Sequence, residues 1–312
     1  MDLYNYTYDL VRQIPDGMIS TYGAVAEALG DKIAARSVGR MMNQNPNADT
    51  MPCFRIVHSD GTLGGFGLGI NDKIRRLNND NISVKDGDIL DFEKVLFKDF
   101  KTQYPLKKLR KQQIELSKKV KLRDDFDQIE TVAGIDIAYP KNDFKKACGA
   151  YVLMDYKSKE IIEQKTVFEK IDFPYISTYL TYRELPVVEK IFKYIDSKPT
   201  ITMFDGNGIL HPYRFGLASH IGVLFDIPTI GVAKRLLYGN IKNKIIEINN
   251  EKHGYAIITS NRASKPVFIS PGHKISFESS LNVVKNFCKH KIPEPLRQAH
   301  ILATKTLALQ GN

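Results

Sequence analysis

Residues 201–216, ITMFDGNGILHPYRFG, constrain this chain more than any other stretch, because an apolar segment runs directly into a polar, glycine-rich loop. Residues 201–204 are predicted to form a buried strand, and Asp205 follows at its carboxyl end. Open α/β sheets bind ligands at that edge, and Gly206 and Gly208 allow the backbone to approach a ligand closely. An aspartate at a strand end also caps many helices, so Asp205 alone leaves both interpretations open.

Two further acids make the ligand-binding interpretation of Asp205 the stronger one. Three strands are predicted at residues 132–139, 147–156 and 161–168, followed by a helix at about 178–194. This order predicts an RNase H-like mixed α/β sheet flanked by helices, with Asp136 beside Asp205. Asp136 has apolar neighbours, so a purely structural role would bury a charge at considerable cost. Together with Glu184, the two aspartates form a set of oxygen ligands suited to Mg²⁺, with Mn²⁺ as a substitute, and to phosphodiester hydrolysis.

Ordered motifs extend this pattern over about two hundred residues, and from about residue 106 to 307 the chain resembles endonuclease V. The matching segments are GID at 134–136, YRELP at 182–186, DGNG at 205–208, HP at 211–212, SH at 219–220, PTIGVAK at 228–234, KPV at 265–267 and SPGH at 270–273. The resemblance implies a metal cluster of Asp136, Glu184 and Asp205 with His273 beside it. It also implies nicking at the second phosphodiester 3′ to deoxyinosine and other deaminated bases, which leaves a 3′-hydroxyl and a 5′-phosphate.

The same resemblance assigns the DNA contacts. Lys234 and His211 would hold the cut strand and the outer part of the site. Backbone around Gly206, Gly216 and Leu217, with Leu180, would form the pocket for a flipped hypoxanthine. Tyr175 and Ile176, after Pro174, would be the wedge that opens the duplex, but Ser177-Thr178 stands where the family usually has Pro-Gly.

The first hundred residues carry a different signal. Helices are predicted at about residues 21–29 and 33–42, the second stopped by Asn45-Pro46. That spacing suits an α+β domain with a helix-turn-helix whose second helix enters a DNA groove. The net charge of +10, from 45 Lys and Arg against 35 Asp and Glu, makes nucleic acid the first partner to consider.

From about residue 8 to 80 the chain resembles the C-terminal domain of the alkylguanine-DNA alkyltransferases, the methylated-DNA–protein-cysteine methyltransferases. The matches are YG at 22–23, ARSVG at 35–39, NP at 45–46, PCxR at 52–55 and GGF at 64–66. The resemblance implies that Arg36 fills the base stack when an alkylated guanine is flipped out, and that Tyr22 helps to turn the 3′ phosphate. Cys53 would accept the alkyl group and be consumed, with Asn45 and Asp80 as supporting polar residues.

Phe54 is the important departure from that family, which normally carries a histidine after the cysteine to lower the cost of forming the thiolate. His58 is no obvious substitute, because a strand over residues 55–57 would place it on the other face. Three interpretations follow: a slower acceptor, a lesion-binding module without transfer, or a relic kept for DNA affinity. The retained Cys53 favours the first.

We therefore expect two domains, an alkyltransferase-type DNA-binding domain over residues 1–98 and an endonuclease V-type domain over 99–312. Residues 101–123 hold nine Lys and Arg against one acid, Glu115, and are predicted to form a basic amphipathic helix. No apolar run approaches the ~18 residues needed to span a bilayer, so no membrane partner is expected. Three scattered cysteines favour a reducing cytoplasm.

The resulting prediction is a bifunctional DNA repair enzyme that needs no oligomer, acting on DNA with deaminated bases or alkylated guanine. Two alternatives stay open. In one, the first domain is a non-catalytic lesion sensor. In the other, the nuclease acts mainly on inosine-containing RNA.

Overall fold

The computed structural model describes residues 1–47, 49–141, 143, 145–259 and 265–310. The chain divides into two compact units: unit 1 is Met1–Lys111 with Asp172–Ser177, and unit 2 is Gln112–Ile171 with Thr178–Asn312. The first division falls later than the expected boundary at 98/99, because the intervening segment is hydrogen-bonded to unit 1. Lys101 N donates to Gln13 Oε1 at 2.8 Å, and Thr102 Oγ1 donates to Ala28 O at 2.5 Å. In the described residues no helix is both long and apolar enough to cross a membrane.

Unit 1 has the predicted helix-turn-helix. Its helices are α1 (Leu3–Val11), α2 (Tyr22–Leu29), α3 (Ala35–Asn43), α4 (Ile70–Asn79) and α5 (Phe92–Val95), and its short strands are β1 (Ser20–Thr21), β2 (Ile56–Val57), β3 (Val84–Lys85) and β4 (Asp88–Ile89). Thr21 Oγ1 accepts from Ala24 N and caps α2, and Gly30 ends that helix with a φ of 106°. A 3₁₀ turn (Lys32–Ala34) then leads into α3. Helix α6 (Pro105–Ser117) is the predicted basic helix, and the division at Lys111 falls within it.

Unit 2 is built on a mixed sheet flanked by helices, the fold class expected from the sequence. The strands are β5 (Thr131–Ala138), β6 (Lys146–Asp155), β7 (Ile161–Lys170), β8 (Ile201–Phe204), β9 (Thr229–Ala233), β10 (Asn240–Lys242), β11 (Ile245–Ile248), β12 (Glu251–Ile257) and β13 (Val267–His273), and the helices are α7 (Leu180–Tyr194), α8 (Leu217–Phe225), α9 (Phe277–Asn286) and α10 (Glu294–Gln310). In the described part of the chain the strand order is β10-β11-β12-β13-β9-β8-β5-β6-β7, and β8 runs parallel to both β5 and β9.

Two apolar clusters cover the two faces of this sheet. Side chains of α9 and α10 pack on one face, and side chains of α7 and α8 pack on the other. Gly134 sets the closeness of α10, because a Cβ on that residue would lie 2.2 Å from the carbonyl carbon of Pro295. Only glycine at this position of β5 therefore lets the first turn of α10 lie directly on the strand that carries Asp136.

His220 of α8 is a core histidine. It is 1 % exposed and lies between the rings of Tyr182 and Phe215, and its Nδ1 has no hydrogen-bond partner among the described residues. Burial lowers the pKa of His220 from 6.5 to about 4. Between these two pH values the imidazole of His220 therefore binds a proton in the unfolded chain but not in the folded protein.

The lowered pKa of His220 predicts that the folded protein loses stability in acid. The stability linked to His220 is complete above pH 6.5 and is lost as the pH falls through about 4. Between pH ~7.5 and pH ~5 we expect a loss of about 2 kcal/mol, which His220→Phe should remove. Urea unfolding of both proteins at the two pH values measures the difference, and an equal loss in the variant would contradict the assignment.

Candidate functional site

Asp136 and Asp205 lie side by side because of the strand register. Ile135 of β5 pairs with Phe204 of β8, and each aspartate is the next residue along two parallel strands. Glu184 joins them from α7, and Asp136 and Glu184 are 6 % and 9 % exposed. The fold thus brings the three predicted acids to one edge of the sheet.

These acids oppose each other's ionisation. Burial, followed by the charge of Asp205, raises the pKa of Asp136. Burial, followed by the charges of Asp205 and Asp136, raises the pKa of Glu184 to about 8. Neighbouring carboxylates of this kind, two of them buried, are stabilised by a cation close to all three.

Lys234 supplies one positive charge at this edge. It follows β9, the strand next to β8, and its Nζ forms an ion pair with Asp205 Oδ2. Burial acts against the charge of Lys234, but Asp205 and Asp136 outweigh it, so the pKa of Lys234 is raised. The lysine therefore stays protonated beside the acids and is available to an anion.

The donor atoms of this site are of the type that binds a metal ion. Two aspartates and a glutamate are hard oxygen ligands of the kind that Mg²⁺ prefers. As placed, no three Asp, Glu, His or Cys side chains in the described ranges converge closely enough to hold an ion. Asp205 Oδ2 is paired with Lys234, and Asp136 Oδ2 lies 2.9 Å from His300 Nδ1. Metal binding would thus require the acidic side chains to move closer together.

The histidine beside the cluster is His300, and the expectation that placed His273 there is corrected. His273 pairs with Thr229 at the start of β9, level with Thr202 and three residues before Asp205. It is therefore about 10 Å away along the strands and on a strand separated from β8 by β9. Its Nε2 lies 3.5 Å from Asp226 Oδ1 and its Nδ1 accepts from a backbone N–H, so it is engaged at the opposite end of the sheet.

Two more side chains near the acids were missed by the sequence reasoning. Tyr139, three residues after Asp136, donates from Oη to Glu184 Oε1 at 3.4 Å, and burial followed by the charge of Glu184 raises the pKa of Tyr139. The guanidinium of Arg183 lies 4.2 Å from the centre of the Tyr139 ring. The sequence did offer a signal for both residues. Arg183 lies within the motif YRELP, and Tyr139 follows the motif GID by three residues.

The loop after β8 is packed against the neighbouring strands. A Cβ on Gly208 would lie 2.1 Å from Pro271 O, and a Cβ on Gly206 would contact Leu217. Asn207 Oδ1 is buried and lacks a hydrogen-bond partner among the described residues. His211 is 3 % exposed, and its Nδ1 accepts from Tyr213 N at 3.2 Å.

Of the remaining pocket residues, Leu180 is the first residue of α7 and packs partly buried against the cluster beneath α7 and α8. The wedge residues, by contrast, belong to unit 1. Tyr175 is 50 % exposed but Ile176 only 1 %, and both line a cavity of about 340 Å³ with Arg36 and Arg40 of α3. The side chain of Tyr175 is thus open to solvent, whereas that of Ile176 is buried.

Cys53 begins a 3₁₀ turn (Cys53–Arg55) and is 3 % exposed. Asn45 Nδ2 lies 3.2 Å from its Sγ as a donor, so the two predicted residues are in contact. Burial raises the pKa of Cys53, while Asn45, Lys73 and Arg12 act to lower it. Three neighbouring groups thus favour the thiolate, but burial outweighs them and the pKa of Cys53 is raised.

The side chain after the cysteine lies in an apolar cluster. Phe54 packs with Val57, Leu77 and other buried residues, and it is 9 % exposed. His58 is exposed, and its ring contacts the ring of Tyr22 with 5.3 Å between centres. Asp80 forms an ion pair with Arg55 at 2.5 Å and holds the turn. Phe54 cannot accept the thiol proton.

The family comparisons agree with the division into two kinds of site. Residues 114–301 match the family model of endonuclease V, and residues 2–82 match that of the 6-O-methylguanine DNA methyltransferase DNA-binding domain. A bifunctional methyltransferase/endonuclease of Picrophilus torridus is 41 % identical over 312 residues, which are 100 % of this chain and 98 % of that protein. One from Thermoplasma volcanium is 36 % identical over 100 % of this chain and 92 % of that protein.

Solved structures agree for the nuclease part. Endonuclease V of Ciona intestinalis, crystallised with a 24mer DNA containing an inosine followed by a ribo-adenosine, is 30 % identical, with a TM-score of 0.62. The match covers 66 % of this chain and 99 % of the Ciona chain.

Proposed function

Because this chain belongs to the endonuclease V family, and along its whole length to the bifunctional methyltransferase/endonucleases, we propose that it nicks DNA at the second phosphodiester 3′ to deoxyinosine and other deaminated bases. The observation that carries this proposal is the register of β5 and β8, which sets Asp136 and Asp205 side by side with Lys234 and Glu184. A lysine beside acids at the end of a strand can bind a phosphate group together with a cation.

Asp136, Glu184 and Asp205 would hold Mg²⁺, or Mn²⁺ in its place, which supplies water activation and charge neutralisation at the phosphate. Lys234 binds a non-bridging oxygen of the scissile phosphate, so its ion pair with Asp205 opens when DNA enters. His300 fixes one rotamer of Asp136 through Nδ1. Tyr139 positions Glu184 through its hydroxyl.

For lesion recognition, the flipped base would lie against the loop after β8, with Gly206, Leu180 and Leu217 as its walls. The unpartnered Asn207 Oδ1 supports this placement, because hypoxanthine carries a ring N–H that adenine lacks. His211 would hold the outer part of the site and Tyr175 would act as the wedge.

The nuclease proposal is tested with end-labelled duplexes that differ at one position, deoxyinosine or deoxyadenosine. We expect a single nick immediately 3′ to the lesion's 3′ neighbour, with Mg²⁺ or Mn²⁺, and none with a chelator. Equal cutting of the adenosine duplex, or cutting with chelator, would contradict the proposal. A ribo-inosine strand run in parallel decides the RNA alternative, which is favoured if that strand is cut faster.

For unit 1 we propose transfer of an alkyl group from guanine oxygen-6 to Cys53, with Arg36 in the base stack and Tyr22 at the phosphate. The contact between Asn45 and Sγ supports a reactive thiol. Mass analysis of the Cys53 peptide, after incubation of the full chain with duplex carrying the methylated base, should show a gain of one methyl group. Tight lesion binding without that gain would favour the sensor alternative. The three free thiols favour action in a reducing cytoplasm.

A further inference from the structure

Lys73 of α4 is a buried cation that the sites described above do not use. Its side chain is fully buried, and Nζ donates to Ile56 O at 2.6 Å and to Gly64 O at 3.0 Å. No carboxylate lies within ion-pair distance of Nζ among the described residues. Burying a lysine without an acid is costly, so the position calls for a compensating anion.

Ionised Cys53 would supply such an anion. Burial lowers the pKa of Lys73 to about 8, and the charge of Cys53 acts to raise it. The carbonyl of Ile56, which holds Nζ, follows the 3₁₀ turn that begins with Cys53. The lysine is therefore fixed to the same short segment as the thiol, and a rigid charge of this kind needs no reorganisation when the thiolate forms.

The other groups around Cys53 are less able to play this part. Tyr8 of α1 and Tyr22 of α2 carry no positive charge, and burial followed by the charge of Cys53 raises the pKa of each. Arg12, at the end of α1, is exposed and paired with Asp9 at 2.6 Å, so solvent and the acid weaken its field at Sγ. Asn45 contributes a neutral hydrogen bond.

We propose that the buried Lys73 ammonium, held by two carbonyls, is the group that stabilises the Cys53 thiolate for alkyl transfer. The inference rests on the proposed function of unit 1. The thiol proton leaves to solvent, the Sγ–carbon bond forms as the bond from carbon to guanine oxygen-6 breaks, and the guanine takes up one proton from solvent. The net change moves one proton from sulfur to guanine, and no further reactant is required.

The test measures the Cys53 thiol directly in the full chain, without alkylated DNA. Alkylation of the Cys53 peptide by iodoacetamide, followed by mass over a range of pH, gives the apparent pKa of the thiol. Lys73→Met keeps the length of the side chain and removes its charge, and we expect the rate at pH ~7 to fall about tenfold, with the midpoint moved up about one unit. Arg12→Gln is the matched control and should move the midpoint much less.

A purely structural lysine would leave the midpoint of Lys73→Met in place, which would overturn the proposal. If that variant does not fold, as judged by circular dichroism, the wild type and Cys53→Ala are compared by NMR of carbon-13-labelled lysine. Loss of the thiolate should lower the pKa of the lysine that titrates near 8, and an unchanged value would equally overturn the proposal. A normal thiol titration with no methyl gain from DNA would refute alkyl transfer but leave the role of Lys73 standing.

Discussion

Asp205→Asn should reduce metal-dependent nicking of deoxyinosine DNA by about 10³-fold or more, because it removes one of the few charges that can hold the cation. The substitution keeps the size of the side chain at the end of β8, so the strand and its pairing with β5 are unaffected. It also removes the ion-pair partner of Lys234, which leaves that lysine free to bind phosphate. Duplex binding should therefore be retained or strengthened while cleavage is lost, and gel-shift and nicking assays on one substrate separate the two.

Asp226→Asn is the matched control for this prediction. Asp226 is an exposed acid of unit 2 that contacts His273 and Lys274 at the opposite end of the sheet. Its variant should nick within about twofold of the wild type, as expected for surface substitutions far from a site. Equal losses in both variants would mean that the acids act through stability, and normal nicking by Asp205→Asn would remove it from the metal site.

The sequence located the acids well because their position depends on short-range rules. A strand that ends in an acid, and a parallel neighbour that does the same, place their carboxylates at one edge of a sheet. The histidine was harder to locate, because the sequence alone does not show whether His273 or His300 lies near the acids in space. The distinction depends on β13 running antiparallel to β9, and on Gly134 allowing α10 to lie against β5. Neither fact follows from local pattern.

The burial of Lys73 could not be predicted for the same reason, because it depends on contacts between distant segments. In the sequence it stands in a polar segment between Asp72 and Arg75, where a lysine is normally solvated. Its burial depends on the turn at Gly64 and on β2, whose carbonyls receive its ammonium. Phe54 could be recognised as a departure from the sequence alone, but the apolar cluster that receives its ring required the packing of Leu77 and Val57.

Cys53→Ser should abolish alkyl transfer completely, since a serine hydroxyl is not ionised near neutral pH and is a far weaker nucleophile than a thiolate. Asn45 Nδ2 can still donate to the smaller oxygen, so the free energy of unfolding should change by only about 1 kcal/mol. Nicking of deoxyinosine should be unchanged, because the acids of unit 2 do not depend on this thiol. Cys288→Ser, in the other unit, is the control for thiol loss elsewhere.

Lesion affinity then separates enzyme from sensor. If Cys53 is an acceptor, the wild type should become covalently methylated and lose affinity for the repaired duplex, whereas Cys53→Ser should remain bound to the unrepaired lesion. The methyl group on the Cys53 peptide and the lifetime of the complex are measured on the same samples. A wild type that stays bound as long as Cys53→Ser and gains no mass would make unit 1 a sensor, because Phe54 and the raised pKa of Cys53 would then keep the thiol protonated.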